Sequence, residues 1–218
     1  MYNVQGYRSK TLKVSDRTMK RINKFDEHPF FTEYVLIHEG TAQPNLIGEK
    51  SRPIIWTKLA IQSFYKSIKT TISAFINHNA DNSTKNRCVY GTLVEKRIDK
   101  LDDGSLAVVG VFYHDTKQRK AVEFLDIISH EGKWNFKEEN GKLIADTCDS
   151  VTGFALGNSK EEQPAFKLAK KLATVQCMDA QTLEFHDLNN KDNTKETRMS
   201  ITFNDVAKFI SENSIKLK

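Results

Sequence analysis

The sequence predicts an α+β fold in which a mostly antiparallel, partly closed β-barrel is surrounded by helices. Three observations point there. Two strand-like runs are joined across Asp103-Gly104 and two more across Asn140-Gly141, dipeptides that accept positive φ and so make tight hairpins. The strands are short and marked by glycines, which suits a curved sheet more than a flat one. A three- and four-residue recurrence of apolar residues from Leu59 to Phe75 announces an amphipathic helix to cover it.

Taken in order, residues 1 to 24 carry Arg8, Lys10, Lys13, Arg17, Lys20, Arg21 and Lys24 against Asp16 alone, a net +6, although the whole chain carries only +5. Residues 1–28 therefore read as a basic N-terminal arm, suited to an acidic surface or to solvent. Without interleaved aromatics to stack bases, a nucleic-acid partner is not expected. Pro29 to Gly40 reads as the first strand, and Pro53-Ile54-Ile55-Trp56 as a short apolar segment. A helix is predicted over about Thr57 to Ile76, with Leu59, Ile61, Phe64, Tyr65, Ile68, Ile72 and Phe75 on one face.

Strands at Cys88–Glu95 and Ser105–Tyr113 form the first hairpin, the second of them central because it is almost continuously apolar. A helix is expected from about Lys117 to His130, stopped by Gly132. Trp134 and Phe136 then lead through the Asn140-Gly141 turn into Leu143-Ile144-Ala145 and the stretch Thr147 to Leu156. Ser159-Lys160-Glu161-Glu162 has the form of a capping box, giving a helix to about Leu172. Ala173 to Met178 is a strand that runs into Asp179. The domain so built covers 29–188, and 189–218 reads as a flexible linker followed by a helix over about Asn204 to Ile215.

At 218 residues the chain can bury a core without staples. Its three cysteines are widely spaced with no CxxC pair, so neither a metal site nor a disulfide framework is indicated, and no cofactor is expected. No apolar run is long enough to cross a membrane and the N-terminus lacks a leader pattern, so a soluble, cytoplasmic protein with no membrane partner is expected.

Chemistry is suggested by Thr147-Cys148-Asp149-Ser150-Val151-Thr152-Gly153-Phe154, a strand interrupted by a hydroxyl and a glycine. A serine needs a base to act as a nucleophile, and His78, between a helix and a strand, is a candidate. The third group that orients the imidazole is sought in Asp179, with His186 and Asp146 in reserve. His38, His114 and His130 read as surface or strand-end residues, and His28 as a loop residue. Cys148, on an alternating strand, shares the face of Ser150 and is a rival nucleophile. The bland alternative is an edge strand whose serine faces water.

Five stretches resemble the prohead maturation proteases of tailed bacteriophages, relatives of the herpesvirus assemblins. They are Ile37-His38-Glu39-Gly40; Phe75-Ile76-Asn77-His78-Asn79; the hairpin from Val89-Tyr90-Gly91 to Gly110-Val111-Phe112; Asp149-Ser150-Val151-Thr152-Gly153-Phe154; and Met178-Asp179-Ala180. The resemblance implies Ser150 as nucleophile, His78 as general base and Asp179 as its orienting partner. The glycine is third after the serine here, not second, which changes how an oxyanion hole would form. It also implies an assemblin-like fold and a capsid-assembly serine protease working inside the immature head in the host cytoplasm. Scaffold protein and major capsid protein would be its substrates, with self-cleavage or a homodimer possible. A catalytically silent relative that binds scaffold, and a basic-armed nucleic-acid-binding protein, are the alternatives.

Overall fold

The strand that contains Ser150 is the longest among the described residues, where three others pair along it. The computed structural model describes residues 12, 14–44, 52–76, 87–161, 163–179, 182–186 and 199–200, with side chains through 174. In chain order the elements are α1 (Asp16–Ile22), β1 (Phe30–His38), β2 (Gly40–Ala42), β3 (Ile54–Trp56), α2 (Lys58–Ser67), β4 (Ser73–Ile76), β5 (Val89–Lys100), β6 (Leu106–His114), α3 (Arg119–Glu123), β7 (Ile127–Glu139), β8 (Lys142–Gly157), β9 (Lys171–Asp179), β10 (Thr182–His186) and β11 (Met199–Ser200).

One strongly curled sheet runs β11-β10-β9-β1-β6-β5-β4-β8-β3-β2, with β7 on the other edge of β8. Among the described residues only β3 and β4 pair parallel, both with β8, so the α+β, mostly antiparallel expectation holds. The curl brings the start of β7 to the start of β9: Ile127 bridges Lys170, and the Lys171 amide donates to the Asp126 carbonyl at 2.8 Å. The result is a half-barrel drawn partly closed.

Both predicted hairpins form. Asn140 and Gly141 both have positive φ, 52° and 71°, which two-residue hairpin turns of this hand require. β6 lies between β1 and β5, as its apolar run predicts. All nine residues of β1 are buried, because the main core lies on one side and a second cluster on the other. That second cluster takes in Leu12 and residues within 14–22, part of the stretch read as a basic arm. Leu12, Val14, Met19 and Ile22 pack against Phe31, Val94 and Val111, so α1 docks on the sheet with Asp16, Arg17 and Lys20 exposed and Arg21 buried.

Three helix expectations are overturned. α2 stops at Ser67, where the Lys96 ammonium takes the Tyr65 and Ile68 carbonyls at 2.5 Å each, and Ser73–Ile76 becomes β4 instead of a further turn. Of 117–130 only a short turn and α3 are helical. Lys171 caps the Val122 and Glu123 carbonyls at 2.9 and 3.1 Å, and Ile127 enters the sheet opposite Gly157. The capping-box sequence at Ser159 gives only a turn. Asp126 holds the Ser159 amide at 2.7 Å, and 163–170 stays irregular up to its bridge with β7. In the first two cases strand pairing outweighs a helical apolar pattern. Met199 and Ser200 pair with β10; the expected linker at 189–198 and helix at 204–215 lie outside the described residues.

Candidate functional site

β8 does not alternate. Its register with β7 skips Asp146, Asp149 and Thr152 in turn, three bulges at three-residue intervals. Each bulge resets the phase, so the inward side chains are Ala145, Cys148, Val151 and Phe154, all in the main core. Trp134 opposes Cys148 while its neighbour Lys133 opposes Ser150, so these two β8 residues face opposite sides of the sheet. The expectation of a shared face is thereby corrected. Cys148 is a core residue, 7% exposed, and its thiol pKa is pushed up by burial. Ser150 is half-buried on the outer face, and its hydroxyl has no hydrogen-bond partner among the described residues.

The bulges are held by identifiable groups. The Cys148 amide donates to Ser63 Oγ of α2 at 3.0 Å. Asn135 Nδ2 donates to Asp149 Oδ1 at 2.7 Å and Thr147 Oγ1 at 3.0 Å, and Lys137 Nζ to Asp146 Oδ1 at 2.6 Å. Thr152 Oγ1 donates to the Glu131 carbonyl at 3.2 Å. Asp146, a reserve for the third member of a triad, is therefore engaged by Lys137. Gly132 serves this strand and does not stop a helix: a Cβ there would lie 2.6 Å from the Ser150 carbonyl oxygen, too close for any other residue without moving the backbone.

Gly153 has a similar explanation. Arg87 Nη1 contacts both carboxylate oxygens of Glu131, at 2.9 and 2.8 Å, and its guanidinium lies 4.0 Å from the Phe75 ring centroid. A Cβ on Gly153 would come within 3.1 Å of Glu131 Oε2 and 3.2 Å of Phe75 Cε2. The glycine makes room for this ion pair and ring, with no ligand needed to account for it.

His78 lies outside the described residues. The strand leading to it, β4, is hydrogen-bonded to β8 and ends with Ile76 opposite Leu156, six residues along from Ser150. A contact between His78 and Ser150 therefore requires the chain after Ile76 to turn back along β8. Asp179 closes β9 as predicted, with four strands between β9 and β8 in the sheet order. His186 closes β10 opposite Thr174. The described residues thus place Ser150 on the strand next to the one that leads to His78, while the strand that Asp179 closes is separated from it by four strands in the sheet order.

His38 and His114, expected as surface or strand-end residues, do end β1 and β6, and both are buried. His38 donates through Nδ1 to the Glu39 carbonyl, 2.7 Å away, and meets Phe166 edge-on; burial lowers its pKa. His114 is fully enclosed, with Nδ1 at 2.5 Å from the Tyr90 carbonyl and Nε2 at 2.6 Å from Thr32 Oγ1. This pairing fits a neutral ring that donates through Nδ1 and accepts from the threonine. Glycine at 91 leaves the space, since a Cβ would sit 2.8 Å from the imidazole. Half-buried His130 accepts from Trp134 Nε1 at 3.0 Å, beside Trp56 and Phe64. His28 is exposed, as a loop residue should be.

His114 carries a testable consequence. Burial pushes its pKa from 6.5 down to about 4. The unfolded chain then binds a proton at higher pH than the folded one. Stability should be full above about pH 6.5 and fall by up to about 3 kcal/mol as pH drops to about 4. Denaturant titrations at pH 7, 5.5 and 4 measure this, and His114→Gln should flatten that part of the profile even if it lowers stability at pH 7.

Among the described residues no group of three or more His, Cys, Asp or Glu side chains could hold a metal ion, and no helix is long and apolar enough to cross a membrane. Comparison with protein-family models, curated proteins and solved structures finds no match.

Proposed function

We propose that the chain is a serine endopeptidase of phage head assembly with an assemblin-like fold. It would cleave scaffold protein and capsid-protein extensions, and its own ends, inside the immature head in the host cytoplasm. The observation that carries this reading is the pairing of β4 with β8. The strand that leads into Asn77-His78-Asn79 is the direct neighbour of the strand bearing Ser150. The outer-face position of Ser150, with a hydroxyl unengaged by the described residues, supports the same reading. Ser150 would attack the scissile carbonyl, His78 would take the proton and return it to the leaving amine, and water would release the acyl-enzyme. Asp179 is proposed to orient His78.

One observation favours a second reading, a catalytically silent relative that binds scaffold. Ile76 is level with Leu156 and not with Ser150. A fluorophosphonate probe separates the two. Labelling at Ser150 that is lost in His78→Ala, with the variant still folded, supports the peptidase; an unlabelled wild-type chain that nonetheless binds scaffold protein supports the silent relative.

A further inference from the structure

A polar concavity of about 390 Å³ opens between α1 and the turn that joins α2 to β4. Arg17 and Arg21 line it from successive turns of α1, and Thr70 and Thr71 from the turn opposite. We propose that this pocket binds a phosphate oxyanion, gripped by the Arg17 guanidinium and the two threonine hydroxyls, with the buried Arg21 adding positive charge behind them. The site is independent of the peptidase reading, since no residue of β8 lines it.

The charge arrangement calls for an anion. Arg17 and Arg21 are four residues apart on one helix, a spacing at which like charges repel. The pocket's one carboxylate, Glu95, offsets only one of them. Its Oε1 is turned toward α1, accepting from the Ser15 amide at 3.2 Å and from the Ser15 and Thr18 hydroxyls at 2.5 Å each. Arg17 has no ion-pair partner among the described residues, while Arg21 is buried and partnered within the protein. Guanidinium groups present planar pairs of donors that match phosphate oxygens.

The second observation is conformational. Thr71 adopts φ of 91°, a region that penalises a β-branched side chain. It is held there by the Thr71 amide on the Leu93 carbonyl at 2.8 Å and the Leu93 amide on the Ile72 carbonyl at 2.9 Å. Glycine would meet the same backbone demand without strain. Threonine keeps a hydroxyl at the rim of the pocket, beside Thr70, where both are exposed. Strain retained at a pocket with two guanidiniums is what a ligand clamp looks like. The ligand class is a phosphate group, either free or carried by a nucleic-acid backbone, and the +6 charge of residues 1 to 24 suits either.

The full-length chain is melted in sodium phosphate and in sodium chloride of equal ionic strength. Phosphate at ten times its Kd should raise the melting temperature by about 3–5 °C over chloride. Arg17→Gln should lose that rise. Thr71→Gly should melt higher than wild type in chloride yet gain nothing from phosphate, a combination that loss of folding cannot produce. A short single-stranded oligonucleotide that gives the same rise at a far lower phosphate concentration assigns the group to a nucleic-acid backbone; equal potency assigns it to free phosphate. Absence of a phosphate-specific rise, or a rise kept in both variants, overturns the site.

Discussion

Ser150→Ala should reduce peptide cleavage by at least about a thousandfold while leaving the unfolding free energy nearly unchanged. Cys148→Ala should do the reverse. The hydroxyl of Ser150 makes no hydrogen bond to the described residues, so its removal breaks none there. The thiol of Cys148 lies in the core and its loss leaves a small cavity, worth about 1 kcal/mol, with cleavage retained. The bulge at Asp149 makes the two substitutions separable, because it turns residues two apart in sequence to opposite sides of the sheet. Cleavage assays on a scaffold-derived peptide, run beside urea titrations of both variants, measure the contrast. If Cys148→Ala abolished cleavage and Ser150→Ala did not, the assignment of the nucleophile would be wrong. Gly132→Ala offers a graded version. A methyl group 2.6 Å from the Ser150 carbonyl oxygen must displace that backbone, so it should slow cleavage more than its cost of about 1–3 kcal/mol in stability would explain.

The hairpins, the central position of β6 and the antiparallel sheet were legible because each rests on local chemistry. Asn140-Gly141 states its turn type whatever surrounds it, and the apolar run of β6 states that both its faces are covered. The helix at 57–76 was half legible. Leu59 to Phe64 does form α2, but the decision to end at Ser67 is made by Lys96, a residue 29 positions on from Ser67, and no helical periodicity records it. The same holds for 117–130, where Lys171 caps α3 from β9. Basic side chains reaching from strands to end helices are long-range events, invisible to a window of local pattern.

The candidate site shows a different kind of failure. A period of two puts Cys148 and Ser150 on one face. The recurrence that mattered was a period of three, Ala145, Cys148, Val151 and Phe154, which a bulged strand produces and which stood in the sequence. The glycines at 132 and 153 were visible as unusual, but their partners were not. One accommodates the Ser150 carbonyl and the other the Glu131–Arg87 pair and Phe75, contacts made only when the sheet curls.

Arg97→Met should destabilise the protein by about 3–5 kcal/mol, and Glu33→Gln in the same chain should recover most of the loss. Glu33 sits on the outer face of β1, fully buried between the cluster around Ile22 and the cluster around Leu172. Its Oε1 accepts from Arg97 Nη1 of β5 at 2.5 Å, while Oε2 has no hydrogen-bond partner. Arg97 is 31% exposed and also reaches Asp99 at 3.3 Å, so it bridges the buried carboxylate to solvent. A methionine keeps the length of the side chain and removes the charge, which isolates the electrostatic part of the loss. The remaining carboxylate would then be buried with no cation, a far larger penalty than the pair's own net worth. Glu33→Gln removes that charge too, and the double variant should lie within about 1–2 kcal/mol of wild type. Urea titrations of the two single variants and the double complete a cycle whose coupling term measures the pair directly. A double variant as unstable as Arg97→Met alone would mean that Arg97 acts through packing over β5, and that the Glu33 charge is satisfied by something else.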